Sequence, residues 1–294
     1  LVNDPLGIIF TVEPWNFPYY QIVRTMAPMV MAGNAVLLKH ASNVPEAAAV
    51  FQDLMENAGA PKGLFTKVYA SHDASEQILG DPRVRGVALT GSEGAGAAIA
   101  AIAAKNLKKS TLELGGADAL IVLNDAEVAK AARWAVYGRN WNAGQVCTSQ
   151  KRFIVENSVY DEFLDEYQKG VSELVAGDPM DPATTLAPMM SQQAADKLAD
   201  QVDTAKKEGA TVETLGAPVP ERGAFFQPTL LTDIPEGSTT ASTEFFGPVA
   251  QLYRAADEDD AIRISNSSPF GLGGSVFSTN IPRAQRIARR LDTG

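Results

Sequence analysis

"VRGVALTGSEGAGAAIAAIAAKNLKKSTLELGG", residues 84–116, decides how the fold is read. Its first seven residues are an apolar run of strand character, so a strand is predicted over 84–90. Small residues follow, then an alanine-rich stretch that predicts a helix over 93–107, and a second short run predicts a strand over 110–114. Strand, glycine turn, helix, strand is one βαβ unit, which joins parallel neighbours.

The same alternation extends toward the N-terminus. Strands are predicted at 7–12, 34–39 and 64–70, separated by helices near 18–32, 45–58 and 72–79, with Pro45 opening one helix and Gly59 following its end. This is the pattern of a mainly parallel sheet with helices on both faces, hence an α/β fold. Beyond Gly115 and Gly116 the pattern restarts. Strands are expected at 119–123, 151–156, 211–215 and 249–253, helices at 125–141, 158–175 and 191–208, and a further unit over 257–279. Two closely packed domains, 1–116 and 117–294, are therefore expected, with the double glycine as the joint.

The 294 residues carry a formal net charge of −10, with 45% hydrophobic and 20% charged residues. That composition suits a large buried core and gives no field that would attract nucleic acid or an anionic membrane. One cysteine excludes an internal disulfide, and no apolar run approaches the ~20 residues that cross a bilayer, so a cytoplasmic setting is expected. The opening LVNDPL lacks Met and runs at once into a strand. A fragment is expected on that ground, with exposed edges and apolar faces.

Chemistry centres on GQVCTS, residues 144–149, which holds Cys147. A lone cysteine is more often a small buried apolar residue than a nucleophile. Glycine, glutamine, threonine and serine line an apolar pocket poorly, however, and suit a tight loop whose amides face a reacting atom. A thiolate there could attack a carbonyl carbon, with the Cys147 amide holding the oxyanion. His40 and His72, read as surface or loop residues, form no triad with it. No CxxC or histidine pair suggests a metal site, no GxxxxGK[ST] occurs, and GSEGAG at 91–96 is not GxGxxG. Glu113, at a strand end beside Gly115 and Gly116, is the carboxylate best placed for function.

Five motifs in order, EPWNFP (13–18), TGSEGAG (90–96), LELGG (112–116), GQVCTS (144–149) and EFFGPV (244–249), resemble those of the aldehyde dehydrogenase superfamily. The resemblance covers essentially the whole chain. It implies a Rossmann-type cofactor domain and a second α/β catalytic domain, each missing one terminal part. It also implies an NAD or NADP cofactor and a small-molecule aldehyde substrate, and a homodimer or homotetramer for the intact protein. Cys147 resembles the nucleophile that forms a thiohemiacetal, Asn16 the amide donor to its oxyanion, and Glu113 the general base that hydrolyses the thioester. Among cofactor residues, Trp15 belongs to the same motif as Asn16, Lys39 resembles the lysine on the adenosine ribose, and Gly91 and Ser92 resemble the turn that meets the pyrophosphate. Glu244 resembles the carboxylate that grips the nicotinamide ribose, with Phe246 its apolar neighbour.

Two positions bear on specificity. NAD-selective members often carry a glutamate where this chain has Ser42, and a hydroxyl does not repel a 2′-phosphate, so both dinucleotides are expected to be accepted. Arg24 stands where similar succinate-semialdehyde dehydrogenases carry an arginine for the substrate carboxylate. Their second arginine corresponds to Trp141 here, with Arg139 two residues earlier. Oxidation of succinate semialdehyde is the leading expectation. A neutral aldehyde substrate and a cofactor-binding module without turnover are the alternatives.

Overall fold

The computed structural model describes residues 4–294. The chain divides into two compact units, Leu1–Gly115 and Gly116–Gly294. In the first, β1 (Ile8–Glu13), α1 (Pro18–Met31), β2 (Ala35–His40), α2 (Pro45–Asn57), β3 (Phe65–Lys67), α3 (His72–Gly80), β4 (Val84–Thr90), α4 (Glu93–Lys105) and β5 (Lys109–Glu113) alternate along the chain. Their five-stranded sheet is parallel throughout, in the order β3-β2-β1-β4-β5.

Register aligns the strand ends. Glu13 pairs with His40, Val12 with Leu89 and Thr90 with Glu113, so the polar residues that close β1, β2, β4 and β5 share the C-terminal edge of the sheet. Strand order reverses between β1 and β4, and ligands of open α/β sheets bind outside such a switch point. Two apolar clusters flank the sheet. Phe10, Val87 and Leu89 pack with Ile99 and Ala103 of α4, and Val36 and Leu38 pack with Ile22 of α1 and Phe51 of α2.

The second unit contains β6 (Asp118–Val122), α5 (Val128–Asn140), β7 (Gln150–Glu156), α6 (Tyr160–Ser172), α7 (Gln192–Glu208), β8 (Thr211–Thr214), β9 (Thr229–Thr232), β10 (Val249–Ala255), α8 (Glu258–Asn266), β11 (Gly274–Phe277) and α9 (Ile281–Ala288). Its six strands run in the order β11-β6-β7-β10-β9-β8, all parallel except the antiparallel β8–β9 pair. Strand β9 and helix α9 are additions to the elements expected from sequence. Residues Lys151 to Glu156 of β7 are all buried, and alternation splits them between two cores. Phe153 and Val155 meet α5 and α6, whereas Ile154 packs in the cluster that includes α8 and α9.

His40 departs from expectation. It is 7% exposed at the end of β2, its ring nitrogens 3.0 Å from Glu13 O and 3.2 Å from Pro18 O, so it is a hydrogen-bonded core residue rather than a surface one. His72 opens α3 and is exposed. Trp134 and Tyr137 of α5 and Trp141 just after it stand exposed, with the Tyr137 and Trp141 rings stacked at 6.0 Å. No described helix is long and apolar enough to cross a membrane.

Candidate active-site residues

In the first unit, the C-terminal edge of the sheet gathers charge. Glu13 closes β1 and is 2% exposed, and Thr25 Oγ1 of α1 donates to its Oε1 at 2.6 Å. Burial pushes its carboxyl up to about 7, against the lowering effects of Thr25, Thr90 and the Arg24 charge. Arg24, one residue before Thr25, donates from Nε to Gln21 Oε1 at 3.1 Å and from Nη2 to Thr90 Oγ1 at 2.5 Å. Its Nη1 lies 3.6 Å from Glu113 Oε1. Thus Arg24 and Glu113, expected to serve different partners, face one another.

The remaining expected residues of this unit lie along or after the same edge. Trp15 and Asn16 are half-buried in the segment between β1 and α1. Lys39 is half-buried in β2, where burial lowers its ammonium, and Ser42 is exposed in the following loop. Gly91 donates its amide to Glu113 O at 2.9 Å, and Ser92 is the N-cap of α4, accepting from Ala95 N at 3.3 Å. The first-turn amides of α4 have no upstream helical carbonyl, and a Cβ at Gly94 would meet nothing within 4 Å. A capped helix N-terminus with an open glycine fits a pyrophosphate, and Lys39 fits a ribose or phosphate group.

In the second unit, helix α5 ends in a left-handed turn. Asn142, Ala143 and Gly144 have φ of 51°, 51° and 71°. Only glycine fits the third position, because a Cβ there would overlap the Gly247 backbone and lie 2.7 Å from Arg139 Nη2. Gln145 then anchors the loop on both sides. Its Nε2 donates to Asn142 O at 3.0 Å and its Oε1 accepts from Met190 N at 2.9 Å. Ser149 Oγ donates to Gly138 O at 2.6 Å. Between these anchors stands Cys147, partly exposed and free of any disulfide.

Beneath it lies Lys151, the second residue of β7 and wholly buried. Its Nζ donates to Val146 O at 2.9 Å, Cys147 O at 2.8 Å and Ser149 O at 3.3 Å, and lies 3.4 Å from Glu244 Oε1. Glu244 Oε1 also accepts from Gly116 N at 3.0 Å. The next residue of β7, Arg152, points the other way and donates to Ile264 O and, at 2.9 Å, to Ser265 O. Phe246 is half-buried, and its neighbour Phe245 is fully buried among Met189, Leu198 and Leu231.

The electrostatics of this cluster are mixed. Burial pushes the Cys147 thiol up, while the Lys151 charge and the Thr148 and Cys147 amides pull it down and Glu244 pushes it up again. Lys151 is itself lowered to about 8, by burial first and then by the nearby Arg139 charge, with Glu244 and Asp118 opposing. Asp118, which accepts from Gly273 N at 3.0 Å, is raised by burial to about 6. Arg139 is fully buried and donates to Gly144 O, so it holds the turn before Cys147 from beneath and is closed to solvent.

Sequence reasoning missed Glu13, Thr25, Thr90, Asp118 and Lys151. The available signal was a charged residue set inside or at the tip of an apolar strand, as in FTVE and KRFIVE.

The second unit thus presents a partly exposed thiol on a pinned loop, and the first a carboxylate at the tip of a parallel sheet and a capped, open helix N-terminus. The sequence pattern of the aldehyde dehydrogenase family matches residues 1–294, and the chain belongs to that family. It is similar to the NADP(+) succinate-semialdehyde dehydrogenase of Deinococcus radiodurans, at 46% identity over the whole chain and 62% of the relative. It superposes with a TM-score of 0.96 on the succinic semialdehyde dehydrogenase of Streptococcus pyogenes solved with NADP+, at 45% identity over 99% of this chain and 64% of that one. For the Mycobacterium tuberculosis aldehyde dehydrogenase solved with NAD+ the TM-score is 0.94, at 33% identity over 99% of this chain and 60% of that one. The chain thus spans less than two thirds of the length of these relatives.

Proposed function

We propose that the protein oxidises an aldehyde to a carboxylic acid with NAD or NADP, succinate semialdehyde being the substrate its relatives point to. The observation that carries this reading is the single, partly exposed thiol of Cys147 on a loop locked by Gln145, Ser149 and Lys151. The sulfur attacks the aldehyde carbon, and the oxygen takes the negative charge, held by the Cys147 N–H and the Asn16 side-chain amide. The nicotinamide cofactor, when bound, supplies the acceptor for the hydride that leaves this carbon. Glu113 takes a proton from water, the resulting hydroxide attacks the acyl carbon, and the carbon–sulfur bond breaks to release the acid. Lys39, the α4 N-terminus with Gly91 and Ser92, Trp15, Glu244 and Phe246 hold the dinucleotide.

A cytoplasmic setting and assembly into dimers or tetramers accompany this reading. The arrangement of parts is that of two domains divided near the double glycine.

The test is the appearance of reduced nicotinamide after mixing with aldehyde. Cys147→Ala abolishes it while leaving dinucleotide binding intact, and Glu113→Gln leaves a first-turnover burst followed by slow steady turnover. Normal turnover by Cys147→Ala would overturn the mechanism.

A second reading, a neutral aldehyde as substrate, is favoured by one observation: the Arg24 guanidinium already faces Glu113 and Thr90. Comparing succinate semialdehyde with an uncharged aldehyde of similar length separates the two.

A further inference from the structure

We propose that Lys151 is the positioning residue of the nucleophile: by gathering the carbonyls of Val146 and Cys147 it turns the amides of Cys147 and Thr148 onto the sulfur, and its charge, shared with Glu244, sets the acidity of the thiol. The inference rests on the reading of Cys147 as nucleophile.

The geometry follows from the planarity of the peptide. No described peptide bond is cis, so each carbonyl and the N–H of the next residue point in opposite directions. Val146 O and Cys147 O both end on Lys151 Nζ, at 2.9 and 2.8 Å, so the N–H groups of Cys147 and Thr148 point away from the lysine. Those are the two amides that stabilise the thiolate. One ammonium therefore aims both donors, and the Cys147 donor is the one assigned to the oxyanion. An apolar side chain at this position would take the ammonium donor from three inward carbonyls, leaving Val146 O only the Ser149 amide, and free the loop to rotate its peptides.

Charge acts along the same line. The groups facing the thiol are Lys151 and Glu244, and those facing the lysine in turn are Arg139 of α5, Asp118 of β6 and Glu244. Lys151 favours the thiolate and Glu244 opposes it, both directly and by neutralising the lysine. Removing the two charges one at a time must therefore move the thiol in opposite directions, which a purely structural role for Lys151 does not require.

Cys147 is the only cysteine of the chain, so alkylation by iodoacetamide reads this one thiol. The rate is measured against pH for the unmodified chain, Lys151→Met, Lys151→Arg and Glu244→Gln. The expected midpoint rises by about one pH unit in Lys151→Met and falls in Glu244→Gln, with Lys151→Arg close to the parent. If Lys151→Met does not fold, Lys151→Gln, which keeps a hydrogen-bond donor but no charge, decides: a raised midpoint supports the inference, and an unchanged or lowered midpoint overturns it. Unmoved midpoints in folded Lys151→Met and Glu244→Gln overturn it too, and leave the nucleophile assignment standing as long as Cys147→Ala is inactive. Turnover by Cys147→Ala would remove the nucleophile itself and the inference with it.

Discussion

Arg24 Nη1 stands 3.6 Å from Glu113 Oε1, and Nη2 of the same guanidinium reaches Thr90 Oγ1 at 2.5 Å. The side chains of Arg24 and Glu113 are 31% and 44% exposed, so the pair contributes about 1 kcal/mol or less to stability. Under the proposed function, a substrate carboxylate that took Arg24 would compete with Glu113 and leave that carboxylate free to turn toward water. For Arg24→Gln the expected outcome is an unchanged melting temperature and a KM for succinate semialdehyde raised about tenfold, with the KM for a neutral aldehyde unaltered. Equal changes for both substrates would assign Arg24 to Glu113 alone.

Glu13 gives the first unit a pH dependence. An acid whose folded value is raised from 4.5 to about 7 is protonated when folded and ionised when unfolded between those pH values, so stability falls as pH rises across that window. At about 1.4 kcal/mol per pH unit, the loss approaches ~3 kcal/mol above neutrality. Melting of Glu13→Gln between pH 4.5 and 8 should show a flatter profile than the parent and greater stability at the alkaline end. An identical slope in both proteins would contradict the burial argument.

Gly144 should tolerate no side chain. Its φ of 71° and the overlap of any Cβ with Gly247 predict that Gly144→Ala loses more than ~3 kcal/mol or does not fold, measured by urea denaturation. Gly94→Ala, inside α4 with open space around it, should gain about 0.5–1 kcal/mol in the same experiment. The contrast separates a glycine required by the turn before Cys147 from one with open space around it.

Ser42 is exposed just beyond Lys39. A carboxylate at this position would repel a 2′-phosphate and accept hydrogen bonds from a ribose diol. Ser42→Glu should raise the KM for NADP about tenfold or more and leave that for NAD equal or lower, in initial-rate measurements with both dinucleotides. A parallel rise for both would place the residue away from the adenosine ribose.

The elements of the first sheet were legible because parallel strands buried on both faces read as apolar runs, and β1, β2 and β4 are such runs. Strand β9 escaped because TLLT is four residues long and follows Pro228. Helix α9 escaped because its single stripe of apolar residues is interrupted by arginines. Among the candidate residues, Cys147 and Glu113 stood out through their glycine-rich surroundings. His40, Glu13 and Lys151 did not: His40 and Glu13 are satisfied by groups far off in sequence and Lys151 by the carbonyls of its own loop, partners that only the folded backbone brings to them.

Lys151 and Arg152 are consecutive residues of a central strand, both buried, each ending on backbone carbonyls at opposite faces of the sheet. Sliding β7 by one residue against β6 or β10 would exchange the two faces and strand both cations away from their acceptors, at several kcal/mol each. Neighbouring apolar residues such as Phe153 and Ile154 would be interchangeable after such a slip; two ions of different shape and reach are not. The adjacent cations therefore set the native register of β7 apart from a one-residue slip by more than apolar burial alone would.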